Sequence, residues 1–376
     1  MNTLLQALIL FLVSMLQLCY SKPPNIVFIV ADDLGWNDVG WRNEQVLTPN
    51  LDKLAREGVI LNSSYVQPVC TPSRNAFLTG YFPFHTGLQH FVIFPPQPYG
   101  LPLKFTLLPE RLRKLGYDTH MVGKWHLGFC KWEYTPTYRG FDTFLGYYNG
   151  EEHYFSHDYT YQNKKGFDLR NNTKPLREAT GDYSANIYAT RAIEILENHN
   201  KSKPLFLYLP FQSVHAPLEV PERYKDLYPA VKTQARRTYL AMVSALDEAV
   251  GNITDTLKKY GYMDDTLIVF TTDNGGPVNW GANNWPLRGA KVTLWEGGTK
   301  ASAFVHGPML KKRGYTNTGM IHAVDWYATL LSIAGGKVDP DVDGIDQWDT
   351  ISSDAPSKRK RFVYNIDEID DSFAIR

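Results

Sequence analysis

Hydrophobic runs alternate with amphipathic stretches along most of the chain. The segment Asn25–Ala31 (NIVFIVA) is almost wholly apolar, which is typical of a strand that is buried on both faces of a sheet. Similar runs predict strands at 58–62, 118–122, 205–209, 266–271 and 301–306. Helical periodicity between the runs predicts helices at 48–57, 107–115, 182–198, 235–260 and 323–334. This alternation predicts an α/β fold with a mostly parallel sheet and helices on both faces.

The N-terminus carries a separate apolar run, from Leu4 to Leu18. It is short for a membrane span and typical of a signal peptide, with cleavage expected after Ser21, although an uncleaved anchor remains the alternative. No later segment is apolar enough to span a bilayer, so we expect a mature chain without a membrane span in the secretory pathway, either lysosomal or secreted. Glycosylation sequons agree with this route and predict modification at Asn171, Asn200 and Asn252. A fourth sequon, at Asn62, lies close to Cys70 and is expected to be too buried.

Composition bears on the size of the core, on the kind of partner and on the role of the cysteines. The 376 residues are 43% hydrophobic, which is enough for a large core. The 39 basic and 39 acidic residues balance, so nothing favours nucleic acid or an anionic membrane surface as a partner. Of three cysteines, Cys19 leaves with the signal peptide, and Cys70 and Cys130 remain. If Cys70 is chemically modified, Cys130 has no cysteine within the mature chain with which to form a disulfide.

Polar residues collect where the predicted strands end. Each could be an ordinary turn residue, but four strand ends share the pattern. Since ligands of open α/β sheets bind beyond the carboxyl ends of the strands, we expect these side chains to converge. They are Asp32 and Asp33, Asp273 and Asn274, Lys124 and His126, and His215.

The oxygen-bearing members of this set predict a metal site. Asp32, Asp33, Asp273 and Asn274 offer only oxygen ligands, which suit a hard divalent cation rather than zinc. Three carboxylates in one cleft would otherwise repel each other. The residues leave Ca²⁺ and Mg²⁺ both open, and we favour one Ca²⁺ ion.

The segment from Cys70 to Arg74 (CTPSR) is the most distinctive feature of the chain. Pro72 at the start of an apolar helical run predicts that Cys70 lies at a helix N-terminus, where the helix dipole favours negative charge. Arg74, one turn later, can stabilise an oxyanion near such a nucleophile. A buried structural cysteine and a redox thiol are the alternatives.

Two complete signatures, PVCTPSRNAFLTG at 68–80 and GYDTHMVGKWHLG at 116–128, resemble the sulfatase family of the alkaline-phosphatase-like superfamily. The segments QSVHAPL, TTDNGG and NNWPLRGAKVTLWEGG are similar to the arylsulfatase B group, the N-acetylgalactosamine-4-sulfatases. The resemblance implies a large, mixed, mostly parallel sheet. After the signal peptide predicted at 1–21, it implies a catalytic domain at 22–350 and the start of a truncated C-terminal domain at 351–376.

The resemblance implies a role for each polar residue at the strand ends. A formylglycine-generating enzyme would convert Cys70 to formylglycine, and Ca²⁺ would be bound by the modified residue with Asp32, Asp33, Asp273 and Asn274. Formylglycine hydrate would attack the sulfur of a sulfate ester and afterwards expel the sulfate. The expected charged or hydrogen-bonding catalytic residues are Arg74 and Lys124 at the diol, His126 at its second hydroxyl, and His215 and Lys291 at the sulfate.

The implied substrate is a sulfated sugar, such as N-acetylgalactosamine 4-sulfate in a glycosaminoglycan. The segment that leads to Lys291 would border the sulfate pocket, with Trp285 stacking on sugar and Arg288 pairing with an anionic group. A core anchor and a structural ion pair are the alternative roles of these two residues. A phosphatase or phosphodiesterase of the same superfamily, and a non-catalytic secreted glycan-binding glycoprotein, remain the competing functions.

Overall fold

A computed structural model describes residues 23–376. The predicted signal peptide lies outside the described residues. Within the described range, no helix is both long and apolar enough to cross a membrane.

Strands are numbered here in chain order. The first eight are β1 Asn25–Ala31, β2 Val59–Leu61, β3 Ser64–Tyr65, β4 Asp118–Lys124, β5 Thr143–Tyr147, β6 Asp158–Tyr161, β7 Lys164–Phe167 and β8 Arg170–Asn171. The others are β9 Lys174–Pro175, β10 Leu205–Pro210, β11 Thr266–Thr272, β12 Ala303–His306, β13 Tyr315–Asn317, β14 Ile321–His322, β15 Val363–Asp367 and β16 Ser372–Ile375.

The α-helices are numbered in the same way. They are α1 Pro49–Glu57, α2 Cys70–Thr79, α3 Pro83–Thr86, α4 Leu108–Lys114, α5 Ser184–Asn198, α6 Glu222–Lys225, α7 Gln234–Lys259, α8 Glu296–Thr299, α9 Asp325–Ile333 and α10 Trp348–Ser353. The five predicted helices are therefore present, as α1, α4, α5, α7 and α9.

A ten-stranded mixed sheet organises the fold, in the order β13-β2-β12-β11-β1-β10-β4-β5-β8-β9. The five central strands, from β11 to β5, are parallel to one another. Antiparallel pairing enters at β12 on one side and at β8 and β9 on the other. This arrangement confirms the predicted mixed, mostly parallel sheet.

Helices cover both faces of the sheet, as the apolar strands require. Along β1, Val27 and Ile29 face one hydrophobic cluster, while Phe28 faces the other, because successive side chains of a strand point to opposite faces. The first cluster includes helices α5 and α7, and the second includes α2, α4 and α9. In the second cluster Phe28 packs against Phe77 and Trp326, with ring centroids 5.5 Å and 5.9 Å apart.

A remote carboxylate caps the first helix. The side chain of Thr48 makes no capping bond, and Asp247 of α7 instead accepts the backbone N–H groups of Asn50 and Leu51 at 3.2 Å and 2.8 Å. Burial raises the pKa of Asp247 to about 6, against the opposing effect of these hydrogen bonds. The cap therefore couples α1 to α7 and responds to pH.

Residues beyond 351 pack onto the main sheet unit. The ring of Tyr65 lies 5.5 Å from that of Phe362 and 6.2 Å from that of Tyr364. A buried ion pair joins Arg359 to Asp325 at the start of α9. The division of the chain at residues 350 and 351 stays a prediction.

Candidate active site

The carboxyl ends of the central strands carry the predicted polar residues. Asp32 follows β1, Asp273 follows β11 and Lys124 ends β4. These strands are adjacent or one apart in the sheet, since β1 lies between β11 and β10, and β4 pairs with β10. All three side chains are fully buried. The sheet topology therefore brings together residues that are far apart in the sequence.

Cys70 is the first residue of α2. Val69 before it is extended, Pro72 occupies the third helical position and the helix runs to Thr79. The thiol is buried, and its Sγ lies 3.7 Å from Oδ1 of Asp32. The helix N-terminus thus points the Cys70 side chain at the carboxylate cluster, as the sequence predicts.

Buried cations balance the three carboxylates. The guanidinium of Arg74 donates to Asp273 at 2.9 Å and to Asp32 at 3.2 Å. Lys124 Nζ also donates to Asp32. The carboxylates are therefore paired with cations in this structure, and their mutual repulsion is weaker than the sequence alone suggested.

Lys291 supplies the third cation. Its Nζ lies 2.8 Å and 2.9 Å from the two carboxylate oxygens of Asp33. Burial alone would lower the pKa of Lys291, but Asp33 raises it, so the ammonium stays charged. Burial likewise would raise the pKa of Asp33, and Lys291 with His215 holds it below its ordinary value. The pair is ionised at neutral pH.

The Cys70 thiol is electrostatically disfavoured as a thiolate. Burial and the neighbouring Asp32 raise its pKa to about 12, despite the opposing effect of Lys124 and Lys291. A reactive cysteine nucleophile needs a lowered pKa. An unmodified Cys70 would therefore remain protonated and unreactive. This environment does not suit a redox thiol, which needs an accessible thiolate.

His126 is held as a neutral imidazole. Burial, Lys124 and Arg74 lower its pKa well below the ordinary value. Its Nε2 lies 3.1 Å from the carbonyl oxygen of Ile93, which fixes the proton on that nitrogen. Nδ1 is buried and has no hydrogen-bond partner among the described residues. The free Nδ1 can accept a hydrogen bond from a hydroxyl group that enters the site.

Close packing fixes the position of the His126 ring. Gly150 lies against it, and a Cβ on that residue would come within 2.5 Å of the ring carbon Cε1. His126 itself has a φ of 58° and Asp33 has a φ of 62°. Left-handed backbone is costly for residues other than glycine and tends to mark functional sites. The fold therefore strains its backbone at two of the predicted site residues.

His215 lies at the opening of the same cluster. Its Nδ1 is 2.6 Å from the carbonyl oxygen of Ala216, while its Nε2 is 3.7 Å from Asp33 Oδ2. Glu151, which no sequence motif singled out, lies 3.7 Å from Nδ1. Glu151 comes from the loop after β5, and no local pattern in the sequence could have placed it there.

The oxygen cluster fits a hard divalent cation. Asn274 Nδ2 donates to Asp33 Oδ1 at 2.7 Å, while the buried Asn274 Oδ1 has no hydrogen-bond partner among the described residues. Potential ligand atoms of Asp32, Asp33, Cys70 and His215 lie within 4.8 Å of one another. An unpaired amide oxygen among carboxylates is the donor set that Ca²⁺ prefers. The members of the sulfatase family generally use one Ca²⁺ ion together with formylglycine.

Trp285 and Arg288 lie on the surface, in the segment that leads to Lys291. Trp285 is 70% exposed, so it is not a core anchor. Arg288 is exposed as well, and its guanidinium lies 4.0 Å from the ring centroid of Trp295. Trp295 is thus a further exposed aromatic residue beside the predicted rim, 53% exposed. A role of these residues in substrate binding stays a prediction.

The predicted glycosylation sites have different environments. Asn171, Asn200 and Asn252 are exposed, whereas Asn62 is half-buried. Cys130 is exposed and forms no disulfide with Cys70. These positions agree with the predictions but do not test modification itself.

The chain belongs to the sulfatase family. The protein-family model described as Sulfatase matches residues 24–336, so the resemblance carried by the two signatures is confirmed. Arylsulfatase J of Mus musculus is 48% identical over 354 residues, which are 93% of this chain and 59% of that protein. N-acetylgalactosamine-6-sulfatase of Mus musculus is 32% identical over 367 residues, which are 91% of this chain and 69% of that protein. The chain therefore spans three fifths to about two thirds of these relatives.

Solved structures share the fold. The crystal structure of Ps i-CgsB is 34% identical with a TM-score of 0.84, and the match covers 89% of this chain and 77% of that one. The PsFucS1 sulfatase from Pseudoalteromonas sp. is 26% identical with a TM-score of 0.79, covering 96% of this chain and 78% of that one. The fold is therefore the alkaline-phosphatase-like fold of sulfatases.

Proposed function

We propose that the protein hydrolyses sulfate esters of sulfated sugars, through a formylglycine made from Cys70 by a formylglycine-generating enzyme. The observation that carries this proposal is the environment of Cys70. The Cys70 side chain is buried at the start of α2, with Sγ 3.7 Å from Asp32, and ion pairs of Arg74, Lys124 and Lys291 surround it. Burial and Asp32 disfavour its thiolate by raising the pKa. A site with this many charges around an inert thiol makes chemical sense if the residue is modified.

The modified residue would supply the nucleophile. One hydroxyl of the aldehyde hydrate attacks the sulfur and the alcohol leaves with a proton; the other hydroxyl then loses its proton, which releases sulfate and the aldehyde. A serine or an unmodified cysteine lacks the second hydroxyl, so its ester would need direct hydrolysis. The neutral His126 can accept a hydrogen bond from this second hydroxyl through Nδ1, because Nε2 is engaged by Ile93, and the proton of that hydroxyl passes to the departing sulfate.

Positive charges would stabilise the sulfate oxygens. Lys291 and His215 lie at Asp33 and can turn their donors toward a sulfate that enters beside Cys70. Arg74 donates to Asp32 and Asp273 and thus offsets part of the negative charge of the two carboxylates. A Ca²⁺ ion held by Asp32, Asp33, Asp273 and Asn274 would add Lewis-acid stabilisation of the developing charge.

The substrate we propose is a sulfated sugar of a glycosaminoglycan, such as N-acetylgalactosamine 4-sulfate. Support comes from the family and from relatives named arylsulfatase and N-acetylgalactosamine-6-sulfatase. We further propose a secretory-pathway location, lysosomal or extracellular, from the signal-like N-terminus and the exposed sequons.

The test compares the wild-type protein, co-expressed with a formylglycine-generating enzyme, with its Cys70→Ser variant. We expect hydrolysis of 4-nitrocatechol sulfate by the wild type and its loss in the variant, with unchanged circular dichroism. Hydrolysis of 4-nitrophenyl phosphate instead of the sulfate would support a phosphatase. Binding of sulfated glycans without turnover of either ester would support a non-catalytic glycoprotein.

A further inference from the structure

A cavity of about 340 Å³ lies against the hairpin formed by β6 and β7. Pro95 and Asn149 belong to its lining, and both belong to segments that contact His126. Ile93, two residues before Pro95, accepts the hydrogen bond of His126 Nε2, and Gly150, next to Asn149, packs on the imidazole ring. Two segments that line the cavity therefore continue directly to residues that contact His126.

The lining combines aromatic rings with positive charges. It includes Phe129, Tyr159, Tyr161, Lys164, Lys165 and Arg170. Aromatic faces can pack on the apolar face of a sugar ring, and ammonium and guanidinium groups bind sulfate and carboxylate oxygens. The aromatic wall is supported from behind, since the ring of Tyr161 packs against Phe94 at 5.8 Å. Such a lining suits an anionic sugar.

The cavity keeps positive charge after its internal pairs are counted. Lys165 is paired with Asp158 at 2.7 Å. Asp168, the acidic residue of the lining, accepts N–H groups of the loop after β5, and Arg170 is 3.8 Å away from it. Lys164 is exposed, and no ion pair to it is found within residues 23–376. Lys164 is thus the charge that remains available to a ligand.

A second cavity, of about 280 Å³, shares Tyr159 with the first but has the opposite character. Its lining includes Glu151, Glu152, His153 and Trp280. Glu151 disfavours a sulfate or carboxylate there, whereas Glu152 is fully buried beside His157. The two sides of the β6–β7 hairpin therefore differ in charge, and an anionic sugar is directed to the basic side.

We propose that the basic cavity is a subsite for a second anionic group of the substrate, a sulfate or a carboxylate on a sugar that neighbours the one losing its sulfate. This inference rests on the sulfatase activity proposed above and narrows the substrate to oligosaccharides with more than one anionic group. Lys164 supplies the available charge, and Tyr159 and Tyr161 supply the stacking faces.

The test substitutes Lys164→Ala, with Lys174→Ala as the matched control, because Lys174 is an exposed lysine of β9 outside the cavity. Three substrates are compared: 4-nitrocatechol sulfate, a disulfated oligosaccharide without uronate, and a monosulfated one with uronate. We expect Lys164→Ala to lower kcat/KM about three- to tenfold, mainly through KM, on at least one oligosaccharide and to leave the aryl sulfate unchanged, because an ion pair with an ordered anion contributes about this much. The oligosaccharide that responds identifies the anion as sulfate or carboxylate.

Product binding separates failure of this inference from failure of the proposed function. The Kd of each desulfated product oligosaccharide, which keeps the second anion, is measured by calorimetry and needs no turnover. A Kd raised about three- to tenfold by Lys164→Ala alone supports the subsite even if the protein hydrolyses no sulfate ester. An unchanged Kd for both products, or equal losses of kcat/KM on the aryl sulfate and the oligosaccharides, would overturn it.

Discussion

Replacing Arg74 with methionine is expected to unbalance the buried charges of the site. The guanidinium is completely buried and donates to both Asp32 and Asp273. Methionine keeps much of the side-chain volume but removes the charge. The variant therefore removes one of the buried cations that face the three carboxylates and keeps Lys124 and Lys291.

The cost can be worked from these contacts. Removing one partner of a buried ion pair destabilises a protein by about 3–5 kcal/mol, because the other charge stays buried and unpaired. A second estimate gives the same range. At an effective dielectric constant of about 20, Arg74 attracts Asp32 and Asp273 by about 4 kcal/mol each. Burying the guanidinium costs several kcal/mol, which is subtracted from that sum. Arg56 offers a control, since its side chain is 64% exposed and it pairs with Asp52 at 3.4 Å. Arg56→Met should cost about 0–1 kcal/mol.

Urea unfolding at pH 7, followed by circular dichroism in calcium-free buffer, measures both variants against the wild type. We expect the free energy of unfolding to fall by about 3–5 kcal/mol in Arg74→Met only. Millimolar Ca²⁺ should recover part of that loss, because a cation bound to the folded state stabilises it. A loss below about 1 kcal/mol, equal to that of the control, would refute the view that Arg74 neutralises the carboxylates.

Three further predictions follow from the same contacts. Asp33→Ala should abolish the bound Ca²⁺ in elemental analysis, and stoichiometric calcium in that variant would move the metal site elsewhere. Arg288→Ala should weaken hydrolysis of sulfated oligosaccharides far more than that of aryl sulfates, because remote binding energy is available only to the larger substrate; equal losses would count against the rim. For Asp247, burial raises the folded pKa to about 6, so the folded state binds this proton more tightly and stability falls as the pH rises from about 4 to about 6. Asp247→Asn should remove up to about 3 kcal/mol of that fall in urea titrations, and an unchanged pH profile would contradict the assignment.

Strong local patterns made most of the large elements predictable. β1 and β11 are buried on both faces, so their sequences are mostly apolar and stand out from their surroundings. The short strands β6 to β9 were not predicted, because their residues are largely polar or exposed and their pairing depends on tertiary contacts. β5, one of the five central strands, was not predicted either, so the strand signals identify four of those five strands and none of β8 and β9 at the edge beside it.

The residues of the candidate site could be predicted where a polar or reactive side chain directly follows a strand or begins a helix. Asp32, Asp273 and Cys70 hold such positions, and the structure brings them together. The pairing of Lys291 with Asp33, 258 positions apart, and the approach of Glu151 to His215 depend on how loops fold over the sheet edge. Single residues in loops carry no periodic signal, so such contacts require the structure.

Mass analysis of the Cys70 peptide tests the central claim most directly. The protein is produced in the secretory pathway of cells that contain a formylglycine-generating enzyme, and the peptide is analysed after proteolysis without reduction. We expect a mass in which the CH₂–SH group of Cys70 is replaced by an aldehyde, in a preparation that hydrolyses 4-nitrocatechol sulfate. An active preparation whose peptide contains only unmodified cysteine would contradict that claim.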